Sequence, residues 1–419
     1  MARIIPVSSG KGGVGKTTFA INYAINLSRY GRTILVDMDM GTSSLRNSMD
    51  VDVSYDLYHF FKRNVPLDRC ITTLGPRLDP KNKHPLFGFI ASPMGMIDEI
   101  TNFQEKYRDR LVEGLNSIKA NYVVLDLKAG LDSRVLDFLP HTNTGILIFT
   151  PHLPAAVYTA AEIVKASLFR KLRTIFSRSS PIYKMISGLD YYKLFNDLLD
   201  RIEDTYDQTF ANLDAFVAEL EGAIHVEKVV RFIHSAVKDF RVYYVLNRFN
   251  GISESVDSVV GPFCRRIAET VAEGLQLMNL GWVVDDEEIN RLNGMRRPAI
   301  LDPIAPAQKP QRERDVVEDK VRELRQLYVG LARPAAPPPK KAVQPAQAPP
   351  TGDSVGLDEQ LRVLRAMYDS ESKKSYRDNF QYIALRSLYL IRERPVDDFG
   401  ALRLGRCESE MMQSVIRDA

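Results

Sequence analysis

A glycine-rich run near the amino terminus holds the residue types best suited to chemistry. The run consists of Gly10, Lys11, Gly12, Gly13, Val14, Gly15, Lys16, Thr17 and Thr18. It fits the pattern G-x-x-x-x-G-K-[ST], lying after an apolar strand-like run and before a helix-like one. Glycines let backbone N–H groups surround phosphate oxygens, while Lys16 can neutralise phosphate charge and Thr17 can ligate magnesium. The run therefore predicts binding of a nucleoside triphosphate with Mg²⁺.

Three aspartates follow apolar runs that read as strands. Asp37 and Asp39 come after residues 33–36, and Asp126 comes after residues 122–125. Because the carboxyl ends of parallel strands open on one edge, we expect these carboxylates to converge near the phosphates. Asp37 and Asp126 are candidate magnesium ligands with Thr17, directly or through water, and either Asp37 or Asp39 could orient an attacking water. The set predicts phosphate hydrolysis.

These side chains need a parallel sheet to bring them together, and the apolar pattern predicts one. Strand-like runs alternate with helix-like stretches, as in crossover connections. The runs are residues 4–7, 33–36, 122–125, 145–149 and 242–246. The predicted fold class is α/β, a mostly parallel doubly wound sheet flanked by helices, with a long helical insertion and a helical C-terminal extension.

Composition shifts divide the chain into four predicted segments. A proline-dense stretch over residues 332–352 excludes helix and sheet and favours a semi-rigid linker. The segment before the linker region reads as a charged amphipathic helix, and the segment after it shows helical patterning. The predicted segments are a nucleotide-binding domain over 1–305 with an insertion at about 165–235, a helix over 306–331, a linker over 332–356 and a helical tail over 357–419.

Charge, cysteines and hydropathy narrow the class of protein. The net charge of +3 is too balanced to predict nucleic-acid or membrane binding by itself. Cys70, Cys264 and Cys407 lie far apart, which excludes a paired-cysteine metal or cluster motif. No apolar run reaches the roughly 18 residues of a membrane span, and the glycine-rich run leaves no room for a signal peptide. We expect a soluble, cytoplasmic protein.

Further residues give the chain a family resemblance over about residues 2–303. Lys11 within K-G-G-V-G-K-T-T, together with the aspartate motifs at 37–39 and 126–130, resembles the deviant Walker A family of MinD, ParA and FlhG, whose glycine-rich run is a P-loop. The FlhG/MinD branch is the most similar in motif order. The stretches that carry this order are residues 39–45, 55–57, 149–151, 245–248 and 280–286.

The resemblance implies a set of roles. Lys11 would reach across an ATP-sandwiched homodimer, Asp39 would orient water, Asp126 would be the Walker B acid and Asn247 would contact adenine. The implied activity is slow, partner-stimulated ATP hydrolysis with Mg²⁺. The implied function is that of a nucleotide-switched spatial regulator of a flagellum, pilus, division site or polar machinery, with a protein partner.

Two residues depart from the family pattern. Lys128 stands where the family usually has a small residue or proline, and Val284 stands where relatives often carry proline near the adenine. ATP remains favoured because no N-K-x-D guanine motif is present. A cation at Lys128 keeps open an ATP-binding scaffold with little hydrolysis. A ParA-like DNA segregation ATPase is a further alternative, whereas iron–sulfur carriers need paired cysteines that the chain lacks.

Two apolar helical patterns could serve as docking surfaces. In the first, apolar residues recur at helical spacing between basic ones, which fits core packing, a membrane surface, a partner helix or DNA phosphates. The apolar residues are Leu168, Phe169, Leu172, Ile175 and Phe176, and the basic ones are Lys165, Arg170, Lys171, Arg173 and Arg178. The second, within residues 376–394, is expected to dock on the body or on a partner. Peripheral location at a membrane or cell pole therefore stays an alternative.

Overall fold

The structure is a computed structural model, and it describes most of the chain outside a long segment before the C-terminal helix. The described residues are 2–41, 44–95, 105–131, 133–185, 191–203, 210–223, 227–249, 260–301, 366, 374–393, 399–401, 404, 411–413 and 415–416. The predicted helix over 306–331, the linker over 332–356 and the helical pattern at 357–370, apart from residue 366, lie outside them.

One parallel sheet of seven strands forms the centre of the described protein. The strands are β1 Arg3–Ser8, β2 Thr33–Asp37, β3 Phe87–Ile90, β4 Tyr122–Asp126, β5 Asn143–Phe149, β6 Arg241–Phe249 and β7 Gln276–Val284. Their spatial order is β3-β2-β4-β1-β5-β6-β7, and every ladder between named strands is parallel. The prediction of a doubly wound α/β sheet is confirmed.

Helices cover both faces of this sheet. Between β1 and β5 they are α1 Lys16–Leu27, α2 Ser44–Ser48, α3 Leu57–Arg63, α4 Gly75–Leu78, α5 Glu105–Ser117 and α6 Ser133–Leu136. After β5 they are α7 Pro154–Ile175, α8 Pro181–Met185, α9 Tyr191–Glu203, α10 Leu213–Ala223, α11 Glu227–Lys238, α12 Gly261–Thr270, α13 Glu287–Gly294 and α14 Tyr376–Glu393. Within the described ranges, no helix is long and apolar enough to cross a membrane.

The edge strand β3 is one that the apolar pattern did not predict. It has four residues, and Gly88 lies beneath Ile71, so a side chain at Gly88 would overlap it. A strand this short, with a glycine inside it, carries little periodicity to recognise. Its pairing with β2 is what makes it a strand.

Helices α7 to α11 occupy the long connection between β5 and β6. The apolar stripe of α7 is buried, with Leu168, Phe169 and Leu172 fully covered. At its end, the rings of Phe176 and Phe195 lie 4.0 Å apart between centroids. The connection is therefore helical, as expected, and packs on α7.

The basic residues of α7 also bind within the protein. Lys165 Nζ donates to the Ile202 carbonyl at 2.7 Å, and Arg170 Nη2 donates to the Leu139 carbonyl at 2.6 Å. Lys171, fully buried, donates to Ala236, and Arg173 pairs with acidic residues of α9. The structure contradicts a membrane surface over residues 165–178, because the apolar stripe is covered and these cations have internal partners.

Helix α14 packs on β7 and α1. The Phe380 ring lies 5.9 Å from that of Phe19, between centroids. Arg386 is buried, and its Nη1 donates to the Leu280 carbonyl at 2.9 Å. The next residue, Gly281, has φ of 133° and leaves no space for a side chain beside Arg386. The C-terminal helix is thus part of the core.

Residues after α14 pack along the amino end of the sheet. The Ile4 amide donates to the Ala401 carbonyl at 2.7 Å, and Arg3 Nη1 donates to the Gly400 carbonyl at 3.0 Å. The Phe399 ring lies 4.5 Å from that of Tyr243. The described parts of the predicted tail therefore pack on the predicted nucleotide-binding domain and form one core with it.

Candidate functional site

The glycine-rich run connects the centre of the sheet to the amino end of a helix. Gly15 caps α1 with φ of 81°, a left-handed conformation that L side chains rarely adopt. The first N–H groups of α1 have no partner inside the helix and give its amino end a partial positive charge. The loop thus has the geometry of an anion-binding site.

Lys16 and Asp126 form a buried ion pair at this helix terminus. Lys16 Nζ bonds to Asp126 Oδ1 across α1 and β4, and both side chains are nearly or fully buried. The other oxygen, Asp126 Oδ2, is buried and has no hydrogen-bond partner in the part of the chain that the structure describes. The site therefore holds a lysine cation suited to binding phosphate and a carboxylate oxygen suited to binding a metal ion.

Asp37 lies directly beside Asp126 in the sheet, where the two residues are register partners. Its carboxylate accepts from the Ser92 hydroxyl at 3.0 Å and from the Leu45 amide at 3.1 Å. Burial, followed by the nearby Asp126 charge, raises the pKa of Asp37 to about 7. Bringing two carboxylates together at this edge prepares a position for a cation.

Asp39 lies one step further along the same edge and is only half-buried. Its amide donates to Asp37 Oδ1 at 3.1 Å, and its own carboxylate accepts from the Gly41 amide at 3.4 Å. The structure thus brings Asp37, Asp39 and Asp126 to the carboxyl edge of the sheet, as parallel pairing requires. No feature of the sequence predicted Ser92 as a hydrogen-bond partner of Asp37.

The donor set fits magnesium. Thr17, in the first turn of α1, supplies a hydroxyl, and Asp37 and Asp126 supply carboxylates, all hard oxygen ligands. Among the described residues, no group of three or more His, Cys, Asp or Glu side chains could hold a metal by itself. Magnesium commonly binds through one or two carboxylates plus phosphate oxygens, so the unpartnered Asp126 Oδ2 agrees with this mode.

A cavity of 220 Å³ extends from the glycine-rich loop toward β7. Glycines and Thr18 line one end, and Asp285 and Asp286 line the other. The remaining lining residues are Asn247, Arg248, Val283, Val284, Ile289, Asn290, Asn293 and Phe380. The cavity is concave, partly apolar and continuous with the phosphate loop, as a nucleoside site requires.

Asn247 joins this cavity to the loop. Its Nδ2 donates to the Val14 carbonyl at 2.7 Å and lies where a side chain at Gly15 would project. Asn247 therefore holds the phosphate loop against β6. The predicted adenine contact stays a prediction, and the structure adds a second role that the sequence did not indicate.

Lys11 and Lys128 are both exposed beside the loop. Gly10 packs so closely on Thr159 of α7 that a side chain there would overlap it, and the Gly130 amide donates to the Ser9 carbonyl at 2.9 Å. These contacts place the start of α7 and the turn after β4 next to the loop. Large apolar side chains are exposed in the same segments, namely Leu131, Leu153 and Tyr158.

Comparison with family models and curated sequences identifies related proteins. Residues 2–153 match the AAA domain model AAA_31. The septum site-determining protein MinD of Helicobacter pylori is 27% identical over 158 residues, 36% of this chain and 54% of that protein. MinD of Escherichia coli K12 is 30% identical over 159 residues, again 36% and 54%. The matched region spans about half the length of these curated relatives.

Solved structures of low sequence identity are similar to part of the chain. MinD from Pyrococcus horikoshii OT3, complexed with Mg-ADP, is 14% identical with a TM-score of 0.41, covering 72% of this chain and 88% of that one. A ParA family ATPase from Chlorobium tepidum TLS is 16% identical with a TM-score of 0.41, covering 72% and 92%.

Proposed function

We propose that this chain, a member of the MinD and ParA family of P-loop ATPases, binds and hydrolyses ATP with Mg²⁺ and acts as a nucleotide-switched spatial regulator. The observation that carries the proposal is the buried pair of Lys16 and Asp126 at the amino end of α1. A phosphate loop, two further aspartates and a cavity adjoin this pair. Each is a component that phosphoryl transfer needs.

Nucleotide binding would exchange the internal ion pair for external partners. Lys16 would turn from Asp126 to the β- and γ-phosphates, and the loop N–H groups would bind phosphate oxygens. Thr17, Asp37 and Asp126 would hold magnesium, with the carboxylates acting directly or through water. When bound, magnesium would neutralise part of the phosphate charge. The exchange keeps every buried charge paired.

Hydrolysis would depend on Asp39 positioning a water. Among the described residues, the Asp39 carboxylate accepts from the Gly41 amide at 3.4 Å, and Asp39 is half-buried, so its carboxylate is available on the exposed side of the edge. Without a strong base beside the water, turnover would be slow and would respond to a partner that completes the site. This is the proposed origin of partner stimulation.

A homodimer would form across the surface around Lys11. Lys11 is exposed on the loop, and Leu131, Leu153 and Tyr158 expose apolar area in the adjoining segments. Exposed apolar side chains grouped around a charged loop suit a protein interface. We infer that a second copy covers this surface when ATP is bound, with Lys11 reaching the partner's nucleotide.

The dimer would act by engaging a further protein partner. The curated relatives named here are septum site-determining proteins, which supports positioning of a cellular structure as the role. A division site, flagellum, pilus or polar machinery remains the range of targets. Hydrolysis would separate the dimer and end the engagement, so nucleotide state would set location.

A second candidate is an ATP-binding scaffold with little hydrolysis. Lys128 is exposed in the turn after β4, beside the Gly130 amide that bonds to the loop. A cation near the γ-phosphate position would stabilise ground-state and transition-state charge alike, which lowers the gain in rate. Absence of phosphate release from the wild-type dimer, with and without partner, would favour this candidate.

Light scattering of the purified chain with Mg·ATP, Mg·ADP or no nucleotide tests the proposal. The expected result is a dimer with ATP alone, and a monomer in all states for Lys11→Ala. Lys119→Ala is the matched control, because Lys119 is an exposed lysine on the residues leading into β4, at the opposite edge of the sheet. An ATP-bound wild type that stays monomeric would contradict the dimer switch.

A further inference from the structure

We propose that α14 forms the base-binding wall of the nucleotide site, with Phe380 contacting the purine and Asn379 positioning the wall. This inference rests on the proposed ATP binding and adds to it a specificity site from the C-terminal part of the chain. Helix α14 begins at Tyr376, 92 positions along the chain from Val284 at the end of β7, 376 against 284.

Phe380 is placed where a base can pack on it. It lines the cavity together with Val283, Val284 and Ile289, and 1% of its surface is exposed, so a base would contact the small part of the ring that faces the cavity. Its ring packs on Phe19 of α1, with 5.9 Å between centroids. Phe19 follows the phosphate loop by one residue, so the apolar wall and the phosphate site share a rigid support.

Asn379 holds the neighbouring wall segment. Its Oδ1 accepts a hydrogen bond from the Val284 amide at 3.2 Å. The next residue, Asp285, is fixed from the other side, because its amide donates to the Phe249 carbonyl at 2.7 Å. The end of β7 is therefore located by two hydrogen bonds, one of which comes from α14.

The Asn379 side chain also has unused hydrogen-bonding capacity. Its Nδ2 is buried and has no partner among the described residues, and the side chain is 1% exposed. A buried donor without an acceptor destabilises the folded state. Asn379 is not itself one of the cavity-lining residues, so its part in the site is to hold Val284, which does line the cavity.

Charge distinguishes the two ends of the cavity. The amino end of α1, with its partial positive charge, adjoins the loop residues that line the cavity. Asp285, Asp286 and Arg248 line it beyond the end of β7, where Arg248 Nε lies 3.5 Å from Asp285 Oδ1. Phosphates would bind the loop N–H groups and the helix terminus, which leaves the end near α14 to the uncharged base. The wall of Phe380 and Val284 supplies the apolar surface that a flat ring requires.

Paired titrations of the full-length chain with Mg·ATP and with inorganic tripolyphosphate test this assignment. Tripolyphosphate carries the phosphates without a base. The variants are Asn379→Ala and Phe380→Leu, the latter keeping apolar volume so that α14 stays docked. We expect each to bind ATP about fivefold to tenfold more weakly while tripolyphosphate affinity is unchanged.

Gln381→Ala is the matched control. Gln381 directly follows Phe380 on α14, is half-buried and does not line the cavity. It should bind both ligands as the wild type does. Unchanged ATP affinity in both test variants would overturn the inference, and so would equal losses for ATP and tripolyphosphate. Failure of the wild type to bind either ligand would instead reject the proposed function.

Discussion

The Asn247 side-chain amide donates to the Val14 carbonyl at 2.7 Å and thereby links the end of β6 to the phosphate loop. The contact joins residues 233 positions apart in the chain. Gly15 accommodates it because it has no side chain. Loop shape in this protein consequently depends on a residue that the family resemblance assigned to the base.

Asn247→Ala separates these two roles. If Asn247 holds the loop, affinity should fall by about fivefold for both Mg·ATP and tripolyphosphate, because the lost hydrogen bond leaves the loop less ordered. If it contacts only adenine, ATP affinity alone should fall. Isothermal titration with both ligands measures the difference. Gln381→Ala, a half-buried amide that does not line the cavity, is the control and should leave both affinities unchanged.

Asp39→Ala should retain ATP binding and lose hydrolysis. Asp39 is half-buried, and within the described part of the chain its carboxylate accepts from the Gly41 amide alone, so its removal should disturb the fold little. Loss of a water-orienting carboxylate should lower turnover by about 100-fold, within the range for positioned acid–base groups. Phosphate release measures turnover and nucleotide titration measures affinity. Undiminished release from the variant would exclude this role, and Asp68→Ala, an exposed carboxylate elsewhere, should leave turnover unchanged.

Lys171→Met should change how stability depends on pH. Burial lowers the pKa of Lys171 from 10.5 to about 7 in the folded chain. Between these values the unfolded chain binds a proton that the folded chain has released, so this group makes wild-type stability rise with pH. The methionine variant lacks that rise, and its stability relative to wild type should therefore decrease from pH 7 toward pH 10.

Urea unfolding at several pH values measures this difference. Lys165→Met is the matched control on α7, because Lys165 also donates to a carbonyl but is only half-buried. Its stability relative to wild type should vary less over the same range. Parallel pH curves for wild type and Lys171→Met would show that the buried lysine does not titrate in the folded protein.

Ile383→Ala should destabilise the whole body formed by the sheet and the helices packed on it. Ile383 is fully buried on α14 and lies against Gly281 of β7. Removing a buried isoleucine side chain costs about 2–5 kcal/mol in free energy of unfolding. We expect one cooperative urea transition shifted to lower denaturant. Gln381→Ala should leave it in place, and an unshifted transition for Ile383→Ala would show that α14 is not docked in solution.

Local residue pattern determined much of the fold and the phosphate end of the site. The P-loop is a contiguous run whose geometry follows from its own glycines and the helix that begins at Lys16. Asp37 and Asp126 follow strands that are apolar throughout, and parallel pairing necessarily brings their ends to one edge. Features that depend on residues close together in the chain can therefore be predicted from the sequence.

Only the tertiary structure shows which residues cover the apolar faces of α7 and α14, two helices with similar patterns. The stripe of α7 has the pattern of a surface-binding helix, yet Lys171 donates to Ala236, 65 residues away, inside the protein. Helix α14 has an equally apolar pattern, and only its position shows that Phe380 lines the cavity near Val284. An amphipathic pattern specifies that a face must be buried, while the partner that buries it depends on contacts distant in the chain.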